Sequence, residues 1–279
     1  MPSNQLVSVI IPTRNSAATI EACLKSIADQ TYKPIEIIVV DRDSTDTTKT
    51  IAQRYTQHVY NHGPERSAQV NFGVTKATGE YVYKVDADFV LDPAVIDQCI
   101  RRATEGADAV VVHNSPDPSI SWIARIRKFE VDMYKYDLQH SSARFIKKSV
   151  YQAIGGFNEA ITAGEDYDFQ NKLNKAGYKT AFIDAEALHL GEPTKLWPHL
   201  VKMYHYGKDS VRYQKANPGE FNGQLKYLMA FAHCRGKRLM QNPVKSLQLA
   251  GYLLLKFSFG GAGFVLAKFR GNKWQPNNH

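Results

Sequence analysis

Four short β-rich runs, each followed by a stretch of helical length, constrain the fold of this chain most. Residues 7–12, 35–40, 80–85 and 107–112 are largely apolar, without regular polar alternation. Runs of that kind belong to strands covered on both faces. Helices between them imply parallel pairing with right-handed crossovers. The fold class this predicts is α/β, a mainly parallel Rossmann-like sheet with helices on both faces. Helices are expected at 17–29, capped by Asn15 or Ser16, from 44 to about 57, at 67–78 and at 92–104, opened by Asp92-Pro93. A short edge strand fits 59–60. Beyond 112 the pattern loosens into a loop at 115–118, an amphipathic helix at 120–136, an inserted strand at 143–146, a turn at 155–158, a helix at 166–175 and a last strand at 180–183.

A chain of 279 residues with 43% hydrophobic content is long enough for one large domain, or a smaller one with an appendage. The boundary is placed at 192, with 1–112 and 113–192 as halves of one domain and 193–279 as a basic, aromatic helical extension. Charge follows that division. Residues 191–279 carry 14 Lys and Arg against 3 Asp and Glu, whereas residues 1–190 carry 21 against 24. Cys23, Cys99 and Cys234 are scattered and without metal-site spacing, so reduced thiols in a cytoplasmic setting are expected. The start of the chain lacks a basic stretch followed by an apolar one, which argues against a signal peptide.

Chemistry concentrates where strands end. Asp86-Ala87-Asp88 closes the strand at 80–85, and two carboxylates there can hold a hard divalent cation and the phosphates it carries. Open α/β sheets bind ligands at that edge. Pro12-Thr13-Arg14-Asn15 and the Asp41–Asp46 run fall on the same edge, each just ahead of a helix whose N-terminal N–H groups suit a diphosphate.

In this order the motifs resemble family 2 glycosyltransferases of the GT-A fold, which use nucleotide-sugars and invert the anomeric centre. Val-Ser-Val-Ile-Ile-Pro-Thr-Arg-Asn at 7–15 is similar to the family's opening, and Glu-Ile-Ile-Val-Val-Asp-Arg-Asp-Ser-Thr-Asp at 36–46 to its second signature. Asp43 departs from it, standing where glycine or asparagine is usual. Ala68 to Asp88 resembles the third signature, and Gly155-Gly156-Phe157-Asn158-Glu159 with Gly164-Glu165-Asp166 the acceptor-side one. The resemblance covers residues 7 to about 190. It implies that Pro12, Thr13, Arg14, Asp41 and Asp43 contact the nucleoside, with Asp86 on ribose or metal and Glu165 also among the residues at the donor. It also implies that Asp88 holds Mg²⁺ or Mn²⁺ and that Asp166 is the general base. Such a carboxylate is expected to have a raised pKa, through Glu165 or a dry pocket. His189 matches a third metal ligand in some members; a hydrogen-bonded surface histidine is the other reading. Arg66 either reaches the diphosphate or is a solvated helix-start arginine.

The processive signature Gln-x-x-Arg-Trp is absent, which favours transfer of one sugar. Sugar nucleotidyltransferases, with a similar sheet, carry a Gly-rich loop after the first strand that residues 12–15 lack. A non-catalytic scaffold keeping the fold is the remaining alternative. Nucleic acid is not an expected partner, because no recognition motif accompanies the basic tail. In 196–213, lysines and an arginine interleave with Trp197, Tyr204, Tyr206 and Tyr213, as in segments at a membrane interface. The apolar runs at 247–255 and 257–267 flank Lys256 and contain Gly260, Gly261 and Gly263. An interfacial hairpin over 244–269, broken at those glycines, is expected ahead of a packed helix or a true span. The expected setting is the cytoplasmic face of a membrane, with a lipid-linked acceptor such as a polyprenyl phosphate or glycolipid.

Overall fold

The computed structural model describes residues 5–138, 140–217 and 238–269. Its first half is built as the alternation dictates: β1 (Val7–Thr13), α1 (Ile20–Ala28), β2 (Ile35–Asp41), α2 (Thr48–Ala52), β3 (Val59–Asn61), α3 (Arg66–Lys76) and β4 (Tyr81–Lys84). Strand β1 is buried along its whole length and pairs in parallel with β2 on one side and β4 on the other. Its side chains alternate between two cores. Val7, Val9 and Ile11 pack in the core that contains Leu24 of α1, while Ile10 packs opposite them with Val70 and Val74 of α3. Covering both faces is why the strand has no polar alternation.

The second half adds β5 (Phe89–Leu91), α4 (Val95–Thr104), β6 (Ala109–Pro116), α5 (Trp122–Val131), β7 (Phe145–Lys147), α6 (Lys148–Ala153), α7 (Glu165–Lys175) and β8 (Thr180–His189). The sheet runs β3-β2-β1-β4-β7-β6-β8-β5. Strand β7 is antiparallel to both β4 and β6, β5 is antiparallel to β8, and the other pairs are parallel. The sheet is therefore mainly parallel, with antiparallel insertions in its second half.

Several boundaries differ from expectation. Helix α1 starts at Ile20 rather than 17, because Asn15, Ser16 and Ala17 donate their backbone N–H groups to Ser44 Oγ, Thr48 Oγ1 and Asp46 Oδ2 across the next loop. Helix α2 ends at Ala52, well short of 57. Asp92 caps an Asx turn onto Ala94 N, which delays α4 to Val95. The loop expected at 115–118 is strand as far as Pro116, and the strand expected to stop at 183 continues to His189. These two extensions pair with each other beyond a bulge between Val111 and His113. Helix α5 stops at Val131 and gives way to a 3₁₀ turn, Asp132–Tyr134.

The C-terminal segment is the largest correction. In place of a hairpin over 244–269 there is one continuous helix, α9 (Pro243–Phe269), packed along α8 (Leu196–Ala216) and against α5. Its glycines do not break it. A Cβ at Gly263 would fall 2.0 Å from the Tyr204 carbonyl oxygen, and one at Gly207 would fall 1.9 Å from that of Gly260. The glycines let two backbones touch, the use small residues have wherever helices approach closely. Leu249 and Tyr252 of α9 fill a core with Ile123, Ile126 and Phe129 of α5. Cys23 and Cys99 are buried free thiols, and Cys234 lies outside the described residues.

Candidate active site

The carboxyl ends of β1 and β4 lie side by side where the chain reverses its winding, and a cleft of about 1080 Å³ opens there. Gln69 of α3 ties the strand ends together, donating to the Thr13 and Val40 carbonyl oxygens at 3.0 and 2.7 Å. The end of β1, with Pro12 and Thr13, and the loop after it, with Arg14 and Asn15, line the cleft, and so does Arg42 from the loop after β2. Asn15 Oδ1 accepts from Thr45 N, closing a clasp between the two loops.

Asp41 supports this clasp through Ser44, and neither Asp41 nor Asp43 lines the cleft. Asp41 is fully buried: its Oδ1 accepts from Ser44 N at 2.8 Å and its Oδ2 from the Ser44 hydroxyl. Asp43 turns outward to Asn61 (2.6 Å) at a backbone φ of +48°. The left-handed conformation explains why this position tolerates aspartate where glycine or asparagine is usual, since these types enter that region most readily.

Across the cleft, Asp88 and His189 meet. His189 ends β8 and stands opposite Phe89 in the β5–β8 pair, which brings its Nε2 to 3.1 Å from Asp88 Oδ2. Its Nδ1 is held at 2.6 Å by Glu192, whose other partner is Arg127 at 2.7 Å. Burial works against a charged imidazole, yet Asp88 and Glu192 outweigh it and lift its pKa to about 9. Gly191 leans over this pair: a Cβ there would lie 2.1 Å from Asp88 Oδ2 and 2.9 Å from His189 Nε2.

Asp86 also lines the cleft but is engaged with Arg144 at 2.8 Å, while its Oδ1 is buried without a hydrogen-bond partner. Arg144 precedes β7 and reaches on to Asp166 at 3.4 Å, and Lys84 of β4 reaches Asp166 at 2.8 Å. Burial alone would raise both carboxyls, but the neighbouring cations hold both below the usual carboxylate range, Asp86 far below it. The expected raised pKa for Asp166 is therefore not what the fold produces. It is Glu165 that is raised, first by burial and then by its neighbour Asp166. Glu165 meets Arg66 at 3.5 Å and does not line the main cleft, whereas Arg66 does. Asp166 itself lines a smaller cavity behind Arg144.

Arg42, Lys84, Arg127, Arg144, Gly191 and Glu192 were not among the candidates the sequence offered. Lys84 carried a local signal, a lysine at the end of an otherwise apolar strand two residues before Asp86. Arg144 carried none, because only the antiparallel strand β7 brings it to the carboxylates, and Glu192 offered only its spacing of three from His189.

Residues 8–156 match the model of the family described as Glycosyl transferase family 2. An uncharacterized glycosyltransferase of Rickettsia typhi is 28% identical over 200 residues; the match takes in 66% of this chain and 62% of that protein's length. The Campylobacter jejuni GalNAc(5)-diNAcBac-PP-undecaprenol beta-1,3-glucosyltransferase is 34% identical over 110 residues, 36% of this chain and 35% of its own. Among solved structures, the mannosyltransferase PcManGT from Pyrobaculum calidifontis, in complex with GDP-Man and Mn²⁺, superposes with a TM-score of 0.64. It is 18% identical, with 95% of this chain and 88% of that one covered, a likeness of fold.

Proposed function

The chain belongs to glycosyl transferase family 2, and from that premise we propose that it moves one sugar from a nucleoside-diphosphate sugar to a hydroxyl of a lipid-linked acceptor, with inversion and with help from Mg²⁺ or Mn²⁺. The observation that carries this reading is the Asp88–His189 pair beneath Gly191 at the switch-point cleft.

The donor set suits such an ion. Asp88 offers a carboxylate and His189 an imidazole whose far nitrogen is fixed by Glu192, the arrangement usual behind a metal-bound histidine. Among the described residues no group of three or more His, Cys, Asp or Glu side chains is placed to hold a metal. An ion at Asp88 and His189 would thus share its coordination with the phosphates of the donor, as Mg²⁺-type sites commonly do. Bound there, it would supply Lewis-acid stabilisation of the departing diphosphate.

The chain's own residues do the rest. Pro12, Thr13, Arg14 and Arg42 line the nucleoside end, and Arg66 stands at the N-terminus of α3, where a diphosphate is favoured. Asp166, ionised beside Lys84 and Arg144, takes the proton of the acceptor hydroxyl. That oxygen bonds to the anomeric carbon as the bond to the diphosphate breaks on the opposite face. A base of depressed pKa removes the proton during attack rather than before it.

A lipid-linked acceptor is supported by the name of the Campylobacter jejuni relative, which specifies an undecaprenyl-diphosphate carrier, and by the apolar surface of α9. That surface would rest on the cytoplasmic face of a membrane. The reading is tested by measuring nucleoside diphosphate released from UDP-, GDP- and dTDP-sugars with and without Mn²⁺. Metal-dependent release from one donor, lost in Asp88→Ala, is expected. No metal-dependent binding or release with any donor would sink the transferase and leave a scaffold on the same fold.

A further inference from the structure

The proposed metal pair is backed by a chain of side chains that ends on the C-terminal helix. Glu192 holds His189 Nδ1 at 2.6 Å, which turns Nε2 towards Asp88. The Glu192 side chain is fully buried, yet it sits in the loop between β8 and α8, where no helix or strand fixes it. Two ties to α5 and its cap do so instead. Arg127 meets both carboxylate oxygens, Nε at 2.7 Å and Nη2 at 3.4 Å, and Ser121 Oγ donates to the Pro193 carbonyl oxygen at 2.6 Å.

Arg127 is in turn steadied by α9. Its guanidinium hydrogen-bonds to the Tyr252 hydroxyl, and that hydroxyl lies 2.9 Å from Nε2 of His199 on α8. The phenol oxygen accepts from the guanidinium, so its own hydrogen is left for the histidine, whose neutral ring can accept it. Tyr252 is 3% exposed; its ring stacks on His199 and packs in the core that α5 and α9 share. The hydroxyl is therefore a fixed point. An arginine on a long stem has many rotamers to lose, and a fixed acceptor behind it selects the one that meets Glu192. Outer partners of this kind set the orientation of a metal-bound histidine, and with it the affinity for the ion.

We propose that Tyr252 and Arg127 are positioning residues for the Asp88–His189 pair: the α9 hydroxyl orients the guanidinium, the guanidinium orients Glu192, and Glu192 sets the imidazole. The assignment rests on the metal-dependent transferase reading above. It adds that the donor site is complete only with the C-terminal helix seated on α5. Tyr252 lies far beyond the 8–156 stretch that matches the family model, so this support belongs to the extension rather than to the matched domain.

The test titrates Mn²⁺ into the full chain with UDP or GDP, reading free Mn²⁺ by electron paramagnetic resonance and bound Mn²⁺ by electron spin echo. Tyr252→Phe removes one oxygen and keeps the ring; it should weaken Mn²⁺ binding about fivefold, the worth of one hydrogen bond. Arg127→Met should weaken it about tenfold, as loss of an outer partner does. Adding Tyr252→Phe to Arg127→Met should change nothing further, because the tyrosine acts through the arginine. The histidine-nitrogen modulation of the bound Mn²⁺ should fall in both single variants. A lower melting temperature with Mn²⁺ affinity and modulation unchanged would make Tyr252 structural only and overturn the inference. Additive losses in the double variant overturn it too. So does Arg127→Met if it weakens metal-free nucleotide binding as much as Mn²⁺ binding, since the arginine would then sit on the donor phosphates. If Arg127→Met does not fold, as circular dichroism would show, Tyr252→Phe decides by affinity and modulation alone. A wild-type chain that binds nucleotide but no Mn²⁺ strikes this inference and the metal role together; one that binds neither strikes the transferase reading as well.

Discussion

Gly191 is the residue on which the proposed metal site depends sterically. Its missing Cβ is what leaves room between Asp88 and His189, so Gly191→Ala should weaken Mn²⁺ binding at least tenfold in the presence of nucleoside diphosphate. Electron paramagnetic resonance of free Mn²⁺ reads that loss, and an unchanged affinity would mean the pair is not the metal site. Arg144 makes a different prediction. It is 8% exposed and joins Asp86 to Asp166. Arg144→Met leaves two half-buried carboxylates short of a cation, a change that should cost less than the roughly 3–5 kcal/mol of a fully buried broken pair, since Lys84 stays on Asp166. Both carboxyls have folded pKa values below their unfolded ones. Their stabilisation is therefore present above the unfolded carboxylate range and is lost as pH falls through the folded values. The urea midpoint of Arg144→Met should lie furthest below wild type near neutrality, with the gap narrowing in acid. A gap independent of pH would show that the arginine acts by packing alone.

At the scale of elements, α8 and α9 are joined by absences of side chain and by one buried histidine. Gly263→Val puts two methyls against the Tyr204 carbonyl and should destabilise by about 1–3 kcal/mol, as overpacking does; Gly261→Val, where a Cβ meets open space, should be nearly neutral. Equal effects in urea melts would contradict the close approach. His199 of α8 bonds to the Tyr252 hydroxyl of α9 at 2.9 Å, facing Arg127, Lys202 and Lys256 with Glu192 opposing. Burial and those cations push its pKa down to about 4. A histidine whose folded pKa lies below 6.5 stabilises fully above 6.5 and loses that stabilisation as pH falls to about 4. His199→Gln should flatten this part of the melting-temperature profile; an unaltered profile would assign the acid loss elsewhere. These same helices mark where sequence stops being legible. The β1–β4 half could be read because each strand's apolar run and each helix's length are local. Lys256, Gly260 and Gly263 read locally as an interrupted apolar segment, and only the facing α5 and α8 turn them into an ion pair and a packing seam. Asp41 and Asp166 were legible as candidates near the sheet edge. The cations around Asp166 come from far along the chain, Lys84 and Arg144, and were not, while Asp41 is taken up by the turn onto Ser44 rather than by the cleft.

For the whole molecule, the proposed membrane contact turns on how α9 is held. It is long and apolar enough to cross one, with mean hydropathy 1.5. Yet its middle is pinned to the catalytic domain by the Lys256–Glu130 pair, and Tyr252 is buried against α8. A crossing would draw α5 and its charges into hydrocarbon, which is costly. Lying flat is compatible with every contact. Leu247, Leu254, Leu255, Phe257, Val265 and Leu266 are all exposed, with Lys245 and Lys268 near the two ends. An apolar face bounded by cations suits an anionic lipid surface, each lysine contributing about 1 kcal/mol. The other side of the same helix pair faces the cleft, through Lys202, Met203 and Tyr206 of α8. Docking α9 would thus hold the acceptor entrance near the surface where a lipid-linked sugar lies. The full chain should float with phosphatidylserine-containing vesicles at moderate salt and be released by high salt or alkaline carbonate. Leu247→Glu with Leu254→Glu should abolish flotation without lowering the melting temperature, because both side chains are more than two-thirds exposed. Retention through carbonate would mean that α9 spans, and the pinning at Glu130 would have to break in the membrane. Absence of flotation from the wild-type chain would leave the apolar face to another protein and remove the surface from the account of acceptor choice.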